Sequence, residues 1–268
     1  MRWLARNRKD IVRTVLLLAL LGLVYVLPPD TSLKLMRESG VLRVCVPSSY
    51  PPLATGDAEK PGIDLEILSE VADDLGVRLL PVTNSNMGRD FNPRNWRVTR
   101  AQCSVLAGGV VATDQTRSFL DTTSPYLETG WALIAPGEPT ALDGLEIGFH
   151  AGISGLDRIS LSRFLRDHGA RVSIMGSKQD LVAALSSGDV QAGVSEAILA
   201  QQVAGENGWQ AFRLTEDLNQ APVSFGLWKG DLTLKRELQR SLARLDADGT
   251  LEEIFEDYGL TELENFVF

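Results

Sequence analysis

The sequence has few of the residues that most often bind metals or act as nucleophiles and bases. Its 268 residues include only two histidines, His150 and His168, and two cysteines, Cys45 and Cys103. These four residues lack the spacing of a metal site and form no Ser-His-Asp or Cys-His pattern. The sequence therefore gives no support to a metalloenzyme or a triad hydrolase, and we expect no cofactor.

Basic residues are also few. The chain has 26 lysines and arginines against 35 aspartates and glutamates, which gives a formal net charge of −9. Binding to a nucleic-acid backbone requires a cationic surface, so this function class is excluded. The remaining composition, 44% hydrophobic and 23% charged, is ordinary for a soluble globular protein. The length allows one large domain or two domains of about 100–150 residues.

The first thirty residues differ from the rest of the chain. The segment "MRWLARNRKDIVR" is rich in arginine, and "TVLLLALLGLVYVLPP" is uncharged and almost wholly apolar. A basic flank before such a run is typical of an export segment. No small-residue cleavage site follows, so residues 1–30 are interpreted either as a signal peptide or as an N-terminal membrane anchor. A buried core helix is the third alternative. Either export interpretation places the folded part in the periplasm or elsewhere outside the cytoplasm.

Beyond residue 38, segments with strand character alternate with segments of helical spacing. "GVLRVCV" (40–46) is a β-branched apolar run, whereas "GIDLEILSEVADDLG" (62–76) has apolar residues at helical spacing and ends in glycine. "VRLLPV" (77–82) and "CSVLAGGVV" (103–111) follow as predicted strands. This alternation predicts an α/β fold with helices on both faces of an open sheet.

A second α/β cycle begins after "GWALIAPGEPT". It starts with a predicted strand at 145–149 and includes the helix "SKQDLVAALSSGDV", for which Ser177 is the candidate N-cap. Two α/β units are thus predicted to join near 132–138. A late strand near 223–228 can return the chain to the first unit.

Residues 38–260 resemble the extracytoplasmic solute-binding proteins of the polar amino acid type, solute-binding protein family 3, which serve ABC importers. The matching pieces, in the family's order, are "GVLRVCVPSSYPPL", "PGIDLEILSEVADDLGV", "AGGVVATDQTRSFLDTTSPY", "LDGLEIGFHAGISGLDRI", "LSSGDVQAGVSEAILA" and "GTLEEIFEDYGL". The resemblance implies a two-lobed periplasmic-binding-protein fold with a ligand cleft between the lobes. The implied bounds are 38–131 and 229–268 for lobe 1, 137–222 for lobe 2, and crossing segments near 131–137 and 222–229.

The same resemblance implies a set of ligand-binding residues for an amino acid. Arg117 would grip the ligand carboxylate, because a guanidinium offers two parallel donors. Ser154, in "GISG" before a helix, would be the second carboxylate partner. Glu196 takes the position of the family's aspartate that binds the ligand ammonium. The remaining implied contacts are stacking by Tyr50, carbonyls exposed by Gly108 and Gly109, and a hydroxyl from Thr113.

Two positions depart from the family pattern. Asp114 stands three residues before Arg117, where the family usually has threonine, so that an acid lies close to the expected carboxylate site. Cys103 replaces the usual aspartate of its strand. Since the family fold places the strands of Cys45 and Cys103 side by side, the resemblance implies a disulfide between them in an oxidising compartment. This pair of cysteines also resembles solute-binding-like proteins associated with quinoprotein dehydrogenases.

The resemblance leaves three functions open. The first is a non-enzymatic receptor that passes an amino acid or related solute to the membrane subunits of an ABC importer. The second is a cyclohexadienyl-dehydratase-like enzyme on the same fold, with Glu196 as general acid. The third is a membrane-tethered sensory or accessory protein, with the membrane contacted through the N-terminal segment.

Overall fold

The computed structural model describes residues 12–19, 22, 30–87, 92–137, 141–152, 156–214, 218 and 220–266. The chain forms two units, Met1–Thr31 and Ser32–Phe268. In the first unit, residues 12–19 are helical, and most of the predicted export segment lies outside the described residues. Within the described part of the chain, none of the helices has both the length and the apolar character needed to span a bilayer.

The second unit alternates strands and helices. Its strands are β1 Val41–Pro47, β2 Arg78–Asn84, β3 Val105–Leu106, β4 Leu120–Thr122, β5 Leu127–Thr129, β6 Trp131–Ala135, β7 Glu146–Phe149, β8 Arg171–Ile174, β9 Ala192–Glu196, β10 Gln210–Arg213, β11 Ala221–Val223 and β12 Gly226–Trp228. Its α-helices are α1 Ser32–Ser39, α2 Ile63–Asp74, α3 Asp114–Phe119, α4 Arg158–Asp167, α5 Lys178–Ser187, α6 Ala197–Asn207, α7 Leu232–Ala247 and α8 Thr250–Asp257, and Pro93–Trp96 is a 3-10 turn.

Two five-stranded sheets organise this unit. The first has the order β2-β1-β3-β12-β4 and the second has the order β10-β6-β9-β7-β8. Each sheet combines parallel and antiparallel pairs: β1 is parallel to β2 and β3, whereas β12 is antiparallel to β3 and β4. The predicted α/β class and the two-lobed architecture are confirmed. We call the first sheet with its helices the first lobe, and the second sheet with its helices the second lobe.

A two-stranded antiparallel ribbon of β5 and β11 lies between the two sheets in chain order. The sequence placed the crossing segments a few residues later, at 131–137 and 222–229. Residues 131–135 instead form β6 of the second sheet, where all five are buried, and residues 226–228 form β12 of the first sheet. A continuous buried run suits a strand covered on both faces better than an exposed connection.

The C-terminal segment also differs from the prediction that residues 229–268 belong to lobe 1. Leu260 is buried in the core of the first lobe, but Phe266 packs on Phe212 in the core of the second. Arg213 N–H donates to the Glu264 carbonyl at 2.7 Å, and Phe266 N–H donates to the Arg213 carbonyl at 2.8 Å. Residues 264–266 therefore cover the β10 edge of the second sheet.

Local signals explain several boundaries. The Ser177 hydroxyl accepts a hydrogen bond from Asp180 N–H, which confirms the predicted N-cap of α5. The predicted strand 103–111 is shorter than expected, because only Val105 and Leu106 pair in the sheet. Gly108 and Gly109 follow with φ of 92° and 80°, a left-handed conformation that ends the strand.

The two cysteines form a disulfide between Cys45 of β1 and Cys103, which precedes β3. It lies in a buried cluster on the first sheet that includes Trp96, Leu106 and Leu120. Because β1 and β3 are adjacent parallel strands, the topology brings the two side chains together as the resemblance implied.

Candidate ligand-binding site

Glu196 ends β9 and caps α6, and its side chain is fully buried. The Thr129 hydroxyl donates to Oε2 at 2.6 Å, and Leu199 N–H donates to Oε1 at 2.7 Å. Burial raises the pKa of the carboxyl group, while the hydrogen bonds from Thr129 and Leu199 act in the opposite direction. Considered alone, a glutamate at a strand–helix junction is usually a solvated first-turn acid, but the structure shows a buried acceptor at a helix N-terminus.

The Glu196 carboxylate has no cationic partner in the part of the chain that the structure describes. The largest contributions to its pKa come from burial and from neutral hydrogen-bond donors, and none of the ion pairs among the described residues includes Glu196. A buried carboxylate normally has a cationic partner, because desolvation of its charge is costly. In this structure the carboxylate is held by hydrogen bonds from Thr129 and Leu199 at the start of α6.

Tyr50 meets Glu196 from the first lobe. Its hydroxyl is shielded from solvent and lies close enough to the Glu196 carboxylate to lower its pKa. Gly152 completes this group: a Cβ atom there would lie 2.9 Å from Glu196 Cγ and 3.6 Å from the Tyr50 hydroxyl. No local pattern selects Gly152, since its importance depends on where the Glu196 side chain lies.

The predicted glycines border the same region. A Cβ atom on Gly109 would approach the Tyr50 ring to 2.9 Å, and one on Gly108 would approach the Pro47 ring to 2.2 Å. Both positions therefore require glycine for space as well as for backbone conformation. Their N–H groups donate to Asp64 Oδ2, at 2.6 Å from Gly108 and 3.1 Å from Gly109.

Asp64 is a second fully buried carboxylate, located in the first turn of α2. Its other oxygen accepts a hydrogen bond from the Tyr126 hydroxyl. Burial raises the pKa of Asp64 to about 6 despite the hydrogen bonds from Tyr126, Gly108 and Gly109. The sequence analysis missed this residue, although an acid between the apolar residues of "GIDLEIL" was the available signal.

Thr113 and Arg117 both belong to the α3 segment of the first lobe. The Thr113 hydroxyl accepts a hydrogen bond from Thr116 N–H at 3.1 Å and so caps the helix. Val111 pairs with Val223, and this bridge holds the start of the segment against the ribbon. Arg117 is exposed, and its guanidinium makes no ion pair or hydrogen bond with any residue of the described chain.

Two further residues named in the sequence analysis are Asp114, in the α3 segment, and Ser154, in the "GISG" turn. Asp114 is exposed in the first turn of α3. Ser154 lies outside the described residues, so its predicted contact with the ligand stays a prediction. The structure brings Tyr50, Gly109 and Glu196 together with Gly152, whereas the contacts of Arg117 with a ligand also stay a prediction.

Two lobes joined through a ribbon, with buried polar residues where they meet, define the class of two-lobed periplasmic binding proteins. The chain belongs to the bacterial extracellular solute-binding proteins, family 3, whose family model matches residues 42–261.

Solved structures show the same fold at low sequence identity. An ancestral cationic amino acid solute-binding protein is 18% identical, with a TM-score of 0.69, and the match covers 85% of this chain and 100% of that one. A second crystal structure of this ancestral amino acid-binding protein, a precursor of cyclohexadienyl dehydratase, shows the same fold. An amino acid ABC transporter substrate-binding protein from Streptococcus pneumoniae, bound to L-arginine, is 19% identical with a TM-score of 0.65 and covers 87% of this chain and 99% of that one.

A curated relative is the membrane-bound lytic murein transglycosylase F of Pseudomonas putida (strain W619). It is 27% identical, and the match covers 85% of this chain. The chain spans about half of that protein, 48% of its length.

Proposed function

We propose that the chain is an extracytoplasmic receptor that binds an amino acid or similar small polar solute by lobe closure and delivers it to an ABC importer. The observation that supports this most is Glu196, a buried carboxylate without a cationic partner in the described chain. A ligand ammonium would supply the missing charge. Tyr50 from the first lobe and Thr129 from the ribbon border the same carboxylate.

The ribbon of β5 and β11 is the proposed hinge of this movement. Thr129 is the last residue of β5 and donates directly to Glu196. A rotation of the lobes at the ribbon would thus act on the hydrogen bond that holds the carboxylate in position. The lobe boundaries are accordingly proposed to fall within 123–130 and 214–225 rather than at the sequence-predicted crossings.

Arg117 is the proposed carboxylate clamp, with Ser154 and Thr113 as further partners. We expect Arg117→Ala to lower ligand affinity by roughly 2–5 kcal/mol, because a buried ligand carboxylate would lose its charged partner. Arg117→Lys should recover only part of this, since an ammonium cannot reproduce the planar fork. Arg236→Ala, which removes another exposed arginine, is the matched control. Equal affinity of Arg117→Ala and the control would exclude the clamp.

A thermal-shift screen of the twenty amino acids and small carboxylates tests the receptor function itself. A ligand at 100 times its dissociation constant should stabilise the protein by about 2.7 kcal/mol. The expected result is stabilisation by compounds that have both an ammonium and a carboxylate. Stabilisation by carboxylates without an amine, to the same extent, would contradict the role of Glu196.

A cyclohexadienyl-dehydratase-like activity is the second candidate. The observation in its favour is the burial that raises the pKa of Glu196, because a general acid must keep its proton near neutral pH. The test is incubation with prephenate or arogenate, with Glu196→Gln as the inactive variant and the exposed Glu70→Gln as control. Sustained release of an aromatic product that requires Glu196 would replace the receptor proposal.

We also propose that the protein stays tethered to the inner membrane by its N-terminal segment. The segment has no small-residue cleavage site after its apolar run. A tether would raise the effective concentration of the receptor near a membrane partner, and it also suits a sensory or accessory role. Recovery of the protein in the soluble periplasmic fraction, beginning after residue 27, would overturn the tether.

A further inference from the structure

The two edge strands of the second sheet, β10 and β8, differ in whether another segment of the described chain pairs with them. The β10 edge is covered by residues 264–266, which pair with Arg213 through both of its backbone groups. The opposite edge is β8, and no further strand of the described residues lies beyond it in the sheet. Exposed edges pair readily with other strands, and proteins commonly cover them or flank them with charge.

Half of the β8 backbone N–H and C=O groups point away from β7, toward the open edge of the sheet. Arg171 N–H donates to the Leu145 carbonyl and Met175 N–H donates to the Phe149 carbonyl, both at 2.8 Å and both toward the β7 side. Backbone directions alternate along a strand, so the N–H and C=O groups of Val172 and Ile174 point to the open side. An incoming strand would pair with these two residues.

The side chains of the same two residues border an apolar groove. Val172 is 42% exposed and Ile174 is 77% exposed, which is high for large apolar residues. Across from them lies α4, and the cavity between strand and helix has a volume of about 520 Å³. Its walls include Phe149, Leu161 and Leu165. A strand edge beside a helix, with an apolar groove between them, is the arrangement in which an extended peptide adds to a sheet.

The charge around this groove indicates the kind of partner. The described lining residues include Arg158 and His150 and no acidic residue, although the whole chain has a net charge of −9. Outside the groove lining, α4 has Arg163 and Arg166 against Asp167 and the N-cap Asp157, so the helix with Arg158 is basic on balance. Pairing of β8 with β8 of a second copy would bring these arginines toward each other, so self-association is disfavoured. An acidic partner is favoured by the same charges.

We propose that the β8 edge is a docking surface for an extended segment of another protein, one that has alternating apolar side chains flanked by acidic residues. The segment would add to β8 as a further strand, with its apolar side chains in the groove beside α4. The groove reaches Gly152 at one end, next to the Glu196 site, but Val172 and Ile174 lie on the β8 edge and the proposal does not depend on the receptor function.

The probe is the peptide Glu-Val-Thr-Val-Thr-Val-Glu-amide with fluorescein on its N-terminal amine, measured by fluorescence anisotropy and amide hydrogen exchange with the full chain. The expected result is binding below 1 mM, with slower exchange of the Val172 and Ile174 amides. A peptide with lysine in place of both glutamates should bind at least fivefold more weakly. Absence of binding at 1 mM, or equal binding of the lysine peptide, would overturn the proposal.

Two matched variants locate the binding. Ile174→Lys places a charge in the groove and should weaken peptide binding at least tenfold. Leu80→Lys makes the same change at a 45% exposed residue of β2, the edge strand of the first sheet, and should leave binding unchanged. Equal effects of the two variants would overturn the proposal. So would a dimer in solution whose β8 amides are already protected without peptide.

Discussion

Asp64 in the first lobe and Glu196 in the second are both fully buried carboxylates near the start of a helix. Burial raises the pKa of both. They differ in where their neighbours come from. Asp64 accepts from Gly108 and Gly109 of the first lobe and from Tyr126, whose ring packs in the first-lobe core. Glu196 accepts from Thr129 of the ribbon and from Leu199 of its own lobe, and Tyr50 of the first lobe lies beside it. Burial and a raised pKa are thus common to both carboxylates, and it is the position of Glu196 between the lobes that supports its proposed role in binding.

The largest expected effect is on Asp64. Asp64→Ala removes the acceptor of two buried donors, Gly108 N–H and the Tyr126 hydroxyl, and of the part-buried Gly109 N–H, and each unsatisfied buried donor costs about 1–3 kcal/mol. We expect the free energy of unfolding in urea to fall by roughly 3–6 kcal/mol. Asp64→Asn, which keeps one acceptor oxygen, should lose less. If Asp64→Ala lowers the free energy of unfolding by less than 1 kcal/mol, Asp64 is not a structural carboxylate and the contrast with Glu196 fails.

Loss of the disulfide should also affect the first lobe strongly. Cys45 and Cys103 are separated by 58 positions, and closing a loop of that length stabilises the folded state by about 4 kcal/mol in the chain-entropy model. The paired variant Cys45→Ala/Cys103→Ala should therefore unfold at lower urea concentration than the wild type. Alkylation before reduction provides the control: labelling of both thiols in native protein would show that the bridge is absent.

The pH dependence of stability is a smaller effect, expected here for Asp64. The pKa of Asp64 rises from 3.8 to about 6 on folding, so the folded state holds the proton more tightly. Its contribution to stability is full below pH 4 and is lost as the pH rises through 6.

The measurement is urea unfolding between pH 4 and pH 7 for the wild type and Asp64→Asn. The stability of the wild type relative to the variant should fall over this interval. A constant difference between the two proteins would show that Asp64 does not titrate in this range.

Local patterns were sufficient for the α/β class, and the resemblance to the family for the two-lobed architecture, but neither predicted the boundaries between the lobes. The helical spacing of α2 and the cap at Ser177 are properties of neighbouring residues, and both were predicted correctly. The membership of Trp131–Ala135 in the second sheet depends on pairing with β9, some sixty residues later. The sequence pattern of a buried strand does not specify its partner.

The candidate site likewise includes residues that local sequence patterns do not identify. Tyr50, Gly109 and Glu196 could be selected because they match motifs of a known family. Asp64 had only a weak local signal, an acid among apolar residues, and Gly152 had none, because the roles of both arise from contacts between distant segments. The burial of Glu196 likewise depends on Thr129 and Tyr50, which local sequence around "GVSEAIL" does not reveal.

Titration calorimetry of Glu196→Gln with an amino acid identified in the thermal-shift screen tests the central claim most directly. Glutamine keeps the shape of the side chain and an acceptor for Thr129, but it removes the charge that a ligand ammonium requires. The account predicts an affinity loss of roughly 2–5 kcal/mol, at least 30-fold, with Glu70→Gln unchanged. Affinity of Glu196→Gln within twofold of the wild type would contradict the account.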